Sequence, residues 1–149
     1  MNIDKKQYKK YAAAHAPKSP ILKNTVLAFL VGGGICVIGQ SLLNIYTHLL
    51  GMTPTDAATL TSVSLIFIAV TLTAFGVFDN IARIAGAGTL VPITGFANSV
   101  ASPAIDSHAE GLILGIGAKI FTVAGPVILY GTLAGAIYGV IYWIVTRFI

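Results

Sequence analysis

The sequence predicts an all-α polytopic membrane protein with about four transmembrane helices and a broken or re-entrant segment at residues 86–106. Three observations carry that expectation. Of 149 residues, 56% are hydrophobic and only 9% charged, against about 25% charged in an ordinary soluble domain. Mean hydropathy is +0.86, so hydrocarbon rather than water is the main solvent. A crossing needs about 20 apolar residues, so this length suits roughly three to five crossings and leaves no room for a second, soluble domain. Six of the nine basic residues, Lys5, Lys6, Lys9, Lys10, Lys18 and Lys23, precede the first apolar run. Such an asymmetry keeps that end in the cytoplasm. The chain thus divides into a basic cytoplasmic N-terminal arm, residues 1–24, and an integral membrane helical domain, residues 25–149.

The first apolar run, Val26 to Leu50, reads as a retained helix, because no small-residue cleavage site follows a short hydrophobic core. Gly32, Gly33 and Gly34 permit close approach by a neighbouring helix, so a packed helix is expected rather than a lipid-facing one. Gln40 and Asn44 follow on the same run. Cys36, the single cysteine, has no partner for an intramolecular disulfide and reads as a packing residue. Gly51 to Asp56 is a turn that also supplies an N-cap. A second run, Ala57 to Phe78, is rich in hydroxyls at its start and apolar later, and ends at Asp79, Asn80 and Arg83.

Gly86 to Asp106, GAGTLVPITGFANSVASPAID, is interrupted by Gly88, Pro92, Gly95 and Pro103. It is too polar for a simple spanning helix and too apolar for a solvated loop. Irregular backbone at membrane depth survives only where protein or a water-filled cavity satisfies its hydrogen bonds, so a broken element follows. From Glu110 to Phe148 the chain is apolar again, with room for two elements divided at Gly125 and Pro126. Gly131, Gly135 and Gly139 form overlapping GxxxG spacings, a helix-packing groove. Tyr138, Tyr142 and Trp143 make an interfacial belt, and Arg147 marks the edge. Arg147 and the lysine arm together place both termini on the cytoplasmic side. Four crossings result, with the broken segment inserted from the side of Arg83.

Several polar residues have two readings each. Asp79 and Arg83, four apart, form either an interfacial helix terminus or a gating ion pair. Asp106, His108 and Glu110 cap and solvate a helix start or make a cation or proton site. Lys119 lies inside an apolar stretch, where it must snorkel, pair or face water. Gln40, Asn44 and Asn98 bond between helices or line a wet path. No GxSxG, HExxH, P-loop or CxxC motif is present, so the chain reads as no enzyme, without catalytic residues, cofactor or metal site. Topology alone explains the lysines, so nucleic acid is not a partner. The lipid bilayer is, since the same lysines suit anionic headgroups. Half-helix ends in a broken segment offer positive dipoles to a carboxylate and free carbonyls to a cation, which suits an anionic or metal-chelated solute.

The strings AFLVGGGICVIGQ (Ala28 to Gln40), GAGTLVPITGFANSVASPAID and EGLILGIGAKIFTVAGPVI (Glu110 to Ile128) closely resemble the SpoVA membrane family of spore-forming bacteria. The resemblance runs over nearly the whole chain, and VPITGFANS is its most specific part. It implies movement of dipicolinic acid, with its calcium, across forespore and spore inner membranes: uptake in sporulation and release in germination. It further implies a hetero-oligomer with an AE-type membrane subunit and an AD-type soluble subunit that binds dipicolinate. The candidate solute path is then Pro92, Thr94, Gly95, Asn98 and Ser99. Gln40, Asn44, Asp79, Arg83, Glu110 and Lys119 are candidate gating or assembly residues. The rival expectation is a structural scaffold subunit supporting a separate pore-forming protein.

Overall fold

The computed structural model describes residues 8, 9, 11, 12 and 19–148. Lys5, Lys6, Lys10 and Lys18 of the basic arm lie outside the described residues.

Helix α1, Ile21–Asn44, continues through one wide turn, Ile45–Leu49, and stops at Gly51, whose φ of 65° suits a residue without a β-carbon. Helix α2, Pro54–Ala74, is capped within the expected Gly51–Asp56 turn, but it starts ahead of the expected Ala57 and stops short of the expected Phe78. The Thr53 hydroxyl accepts the Asp56 amide at 3.3 Å and donates to the Asp56 carboxylate at 2.7 Å. Pro54 then fills the first helical position, where no N–H is needed. Hydroxyls along α2, at Thr59, Thr61, Ser62, Ser64, Thr71 and Thr73, turn back to carbonyls four residues earlier. That internal pairing lets a hydroxyl-rich helix enter hydrocarbon.

Three short helices follow: α3, Phe78–Ala85, α4, Ala87–Leu90, and α5, Ile93–Asp106. A tight turn, His108–Glu110, and a wide turn, Leu112–Gly117, lead into α6, Ala118–Phe148. The broken element of the sequence reading is therefore helical in pieces, and it starts at Phe78, earlier than expected. Gly86, with φ 51°, joins α3 to α4. Its carbonyl accepts the Thr89 amide at 3.2 Å, the Leu90 amide at 3.3 Å and the Thr89 hydroxyl at 3.0 Å, so the break leaves few backbone groups bare.

The described residues hold three helices long and apolar enough to cross a membrane, Ile21–Leu49, Pro54–Ala74 and Leu112–Arg147, where the sequence suggested four. The difference lies at Gly125 and Pro126, which do not divide the last stretch; Pro126 sits inside α6. In hydrocarbon an opened helix has no water to bond, so local adjustment around a proline is less costly than a break.

The core lies against the broken stretch. Phe78, Ala85, Thr89, Thr94, Ala97 and Ala104 are buried there, joined by Ala57 and Ala69 of α2. Phe78 and Ala97 meet Ala69, with Ile66, Leu72 and Ala82 around them. Helix α4 packs on α1 at Gly88, where an added β-carbon would stand 2.9 Å from Ala28 Cα. Gly32 faces the same contact, 3.3 Å from the Gly88 carbonyl by the same measure. The expected glycine packing therefore holds for Gly32. Around Gly33, Gly34, Gly131, Gly135 and Gly139 the space is open among the described residues. Every residue from Pro126 to Arg147 is exposed.

Candidate functional site

Helix α5 carries the residues the sequence nominates for a solute path, and its local chemistry explains its position. Pro92, extended at φ −64° and ψ 164°, sets the entry into the helix. Gly95 is buried where a β-carbon would collide with the Leu90 carbonyl, so only glycine lets α5 fold back so closely on α4. One turn apart, Thr94 and Asn98 share a face.

Asn98 is tied to α2: its side-chain carbonyl accepts the Thr73 hydroxyl at 2.8 Å. Thr73 also reaches the Ala69 carbonyl at 2.8 Å. Thr94 is 6% exposed, and its hydroxyl has no hydrogen-bond partner among the described residues. Leaving such a group bare costs about 1–3 kcal/mol. Ser99 stands apart from this face; it is exposed and donates to the Phe96 carbonyl at 2.8 Å. The sequence reading missed Thr73 because it lies in the part of the second run taken as apolar. The signal available was a threonine at the end of that run, two residues after Thr71.

The chain reverses between α5 and α6, and Gly115 is pressed against the Ser107 carbonyl in that reversal. Helix α6 then returns along α5. Between α2, α5 and the start of α6 lies a 660 Å³ cavity walled by Ile66, Val70, Phe96, Val100, Ile105 and Ile120, among others. Its lining is apolar apart from His108. His108 Nδ1 donates to the Ile105 carbonyl at 2.7 Å. A dicarboxylate finds almost no donor in this space, whereas Thr73 and Asn98 supply polar groups outside its lining.

The remaining nominated residues are spread over the surface. Gln40 donates to the Asn44 side chain at 3.0 Å, both exposed along α1. Asp79 and Arg83, although four apart on α3, make no ion pair among the described residues. Glu110 is exposed in the reversal and Lys119 is exposed at the second position of α6. Asp106, His108 and Glu110 do not converge; no group of three or more His, Cys, Asp or Glu gathers to hold a metal among the described residues.

Comparison with known proteins bears on the same stretches. The family described as SpoVAC/SpoVAEB sporulation membrane protein matches residues 24–141, which takes in α1 through most of α6. Stage V sporulation protein AC of Bacillus subtilis (strain 168) is 47% identical over 137 residues, 92% of this chain and 91% of that protein. No solved structure matches. A match that takes in the long helices and the broken stretch together, with near-equal coverage of both chains, leaves one conclusion: the protein belongs to the SpoVAC/SpoVAEB family of sporulation membrane proteins.

Proposed function

We propose that this chain is a membrane subunit of a complex that moves dipicolinic acid, with calcium, across forespore and spore inner membranes. It takes part in uptake during sporulation and release during germination, beside an AE-type membrane subunit and an AD-type soluble subunit. Dipicolinate carries two carboxylates and cannot cross hydrocarbon unaided. The observation that carries the reading is the broken stretch itself. Three short helices stand among helices long enough to span, with a cross-helix Thr73 to Asn98 bond and a buried, unpartnered Thr94 hydroxyl. A bare hydroxyl in a lipid-embedded core is a cost that a purely structural helix avoids, and a passing carboxylate would relieve it.

Both termini are placed on the cytoplasmic side in this reading, with the broken stretch entering from the side of Arg83; three long helices alone would leave the termini on opposite sides, so the broken stretch has to supply the return.

The test is flux of dipicolinate through liposomes holding the assembled complex. Thr94→Val keeps the shape and removes the bare hydroxyl, so the protein should become more stable by up to about 1 kcal/mol. Flux should fall several-fold. Unchanged flux in Thr94→Val and in Asn98→Leu, with assembly intact, would remove α5 from the path. A second reading, a scaffold subunit for a separate pore, is favoured by the uncovered Pro126–Arg147 end of α6. It is distinguished by thiol labelling: a cysteine placed at position 98 reacts with water-soluble reagents in a path and resists them in a scaffold.

A further inference from the structure

Away from α5, a 540 Å³ cavity opens where the start of α1 meets the junction of α3 and α4, and Arg83 lines it. Ser19, Asn24, Thr25 and Gly86 stand around it. Asn24 Nδ2 donates to the Ser19 hydroxyl at 2.8 Å, which holds one wall in place. Thr25 breaks the habit of its neighbours. Thr47, Thr59, Thr61, Thr71, Thr73, Thr122, Thr132 and Thr146 each donate to the carbonyl four residues back. Thr25, at the fifth position of α1, has no hydrogen-bond partner among the described residues. Arg83 likewise has none, despite Asp79 one turn earlier on the same helix. The cavity therefore presents a guanidinium and a hydroxyl without partners, and no carboxylate stands among the described residues of its lining.

We propose that this cavity is a binding site for an oxyanion, a carboxylate or a phosphate. The Arg83 guanidinium is its cation, and the Thr25 hydroxyl and Asn24 amide are its flanking donors. A guanidinium fork matches two oxygens of one carboxylate or phosphate and stays charged at every physiological pH. The volume falls within the range of about 300–1,000 Å³ typical of small-molecule sites. Lys23, in the first turn of α1, adjoins Asn24 of the lining in sequence, and basic residues at a helix end near the membrane surface attract anionic groups. The site does not depend on the α5 path and stands or falls separately.

Two sources offer this chemistry, a soluble dicarboxylate and a lipid phosphate, and the experiment separates them. The full chain is placed in phosphatidylcholine nanodiscs and titrated with calcium-free pyridine-2,6-dicarboxylate in equilibrium dialysis. In parallel, native mass spectrometry follows phosphatidylglycerol retained from mixed nanodiscs. Arg83→Gln should weaken occupancy about tenfold, and Thr25→Val by a few-fold. Arg83→Lys should lie between wild type and Arg83→Gln, because the charge remains and the fork is lost. Loss confined to the dicarboxylate arm assigns the site to solute; loss confined to the lipid arm assigns it to a headgroup. Unchanged occupancy in both arms for Arg83→Gln overturns the proposal. So does an equal loss in Thr132→Val, which is remote on α6. Should Arg83→Gln fail to fold, unchanged binding in Arg83→Lys and Thr25→Val together overturns it as well.

Discussion

The broken stretch from Phe78 to Asp106, with its interspersed polar residues, and the apolar last turns of α6 sit in opposite environments. The first holds eight of the buried residues, Phe78, Ala85, Gly88, Thr89, Thr94, Gly95, Ala97 and Ala104. The second, from Pro126 to Arg147, has every residue exposed. The contrast follows from backbone hydrogen bonding. A continuous helix satisfies its own backbone and can face lipid or another subunit, whereas an interrupted one must find cover within the protein. Glycine serves each region differently. At Gly88 and Gly95 it allows contacts that a β-carbon would block, while Gly131, Gly135 and Gly139 meet nothing among the described residues.

Substitutions at these glycines should break the symmetry between the two regions. Gly88→Leu drives a side chain into the Ala28 backbone and should cost about 3 kcal/mol or more. Unfolding of the purified protein in mixed micelles reads this directly, and a near-wild-type midpoint would show that α4 does not hold its place on α1. Gly135→Leu has the same chemistry on the uncovered helix, so chain stability should stay within about 0.5 kcal/mol. Recovery with partner subunits should nonetheless fall, because GxxxG faces work by close approach between helices. Normal co-purification would leave that face to lipid. The smallest effect is expected for Thr73→Val, which removes the tie to Asn98 and should cost about 0.6 kcal/mol. A loss several times larger would mean that the tie orders the whole of α5.

Much of this was legible in particular residues. The interruptions at Gly88, Pro92 and Gly95 announce a broken element, and the turn from Gly51 to Asp56 announces the start of α2. Gly125 and Pro126 misled, because in water that pair ends a helix, while in lipid the backbone has no better option than to stay helical. Asp79 and Arg83 allow two readings in the sequence, a helix terminus or an ion pair, and among the described residues they make no ion pair. Spacing brings them to one face but does not decide whether two exposed side chains meet or reach elsewhere.

The sequence by itself determined that this chain lives in a bilayer, that it is helical, and that residues 86–106 cannot be one plain helix. Those are properties of composition and of local backbone chemistry, and they need no partner. Tertiary structure alone decided that Asn98 meets Thr73, that Thr94 is buried without a partner, and that Arg83 shares a cavity with Thr25. Each of these joins residues far apart in the chain, or depends on what another helix leaves uncovered. No periodicity along one strand of sequence encodes such a meeting, because it is set by which helix lies beside which.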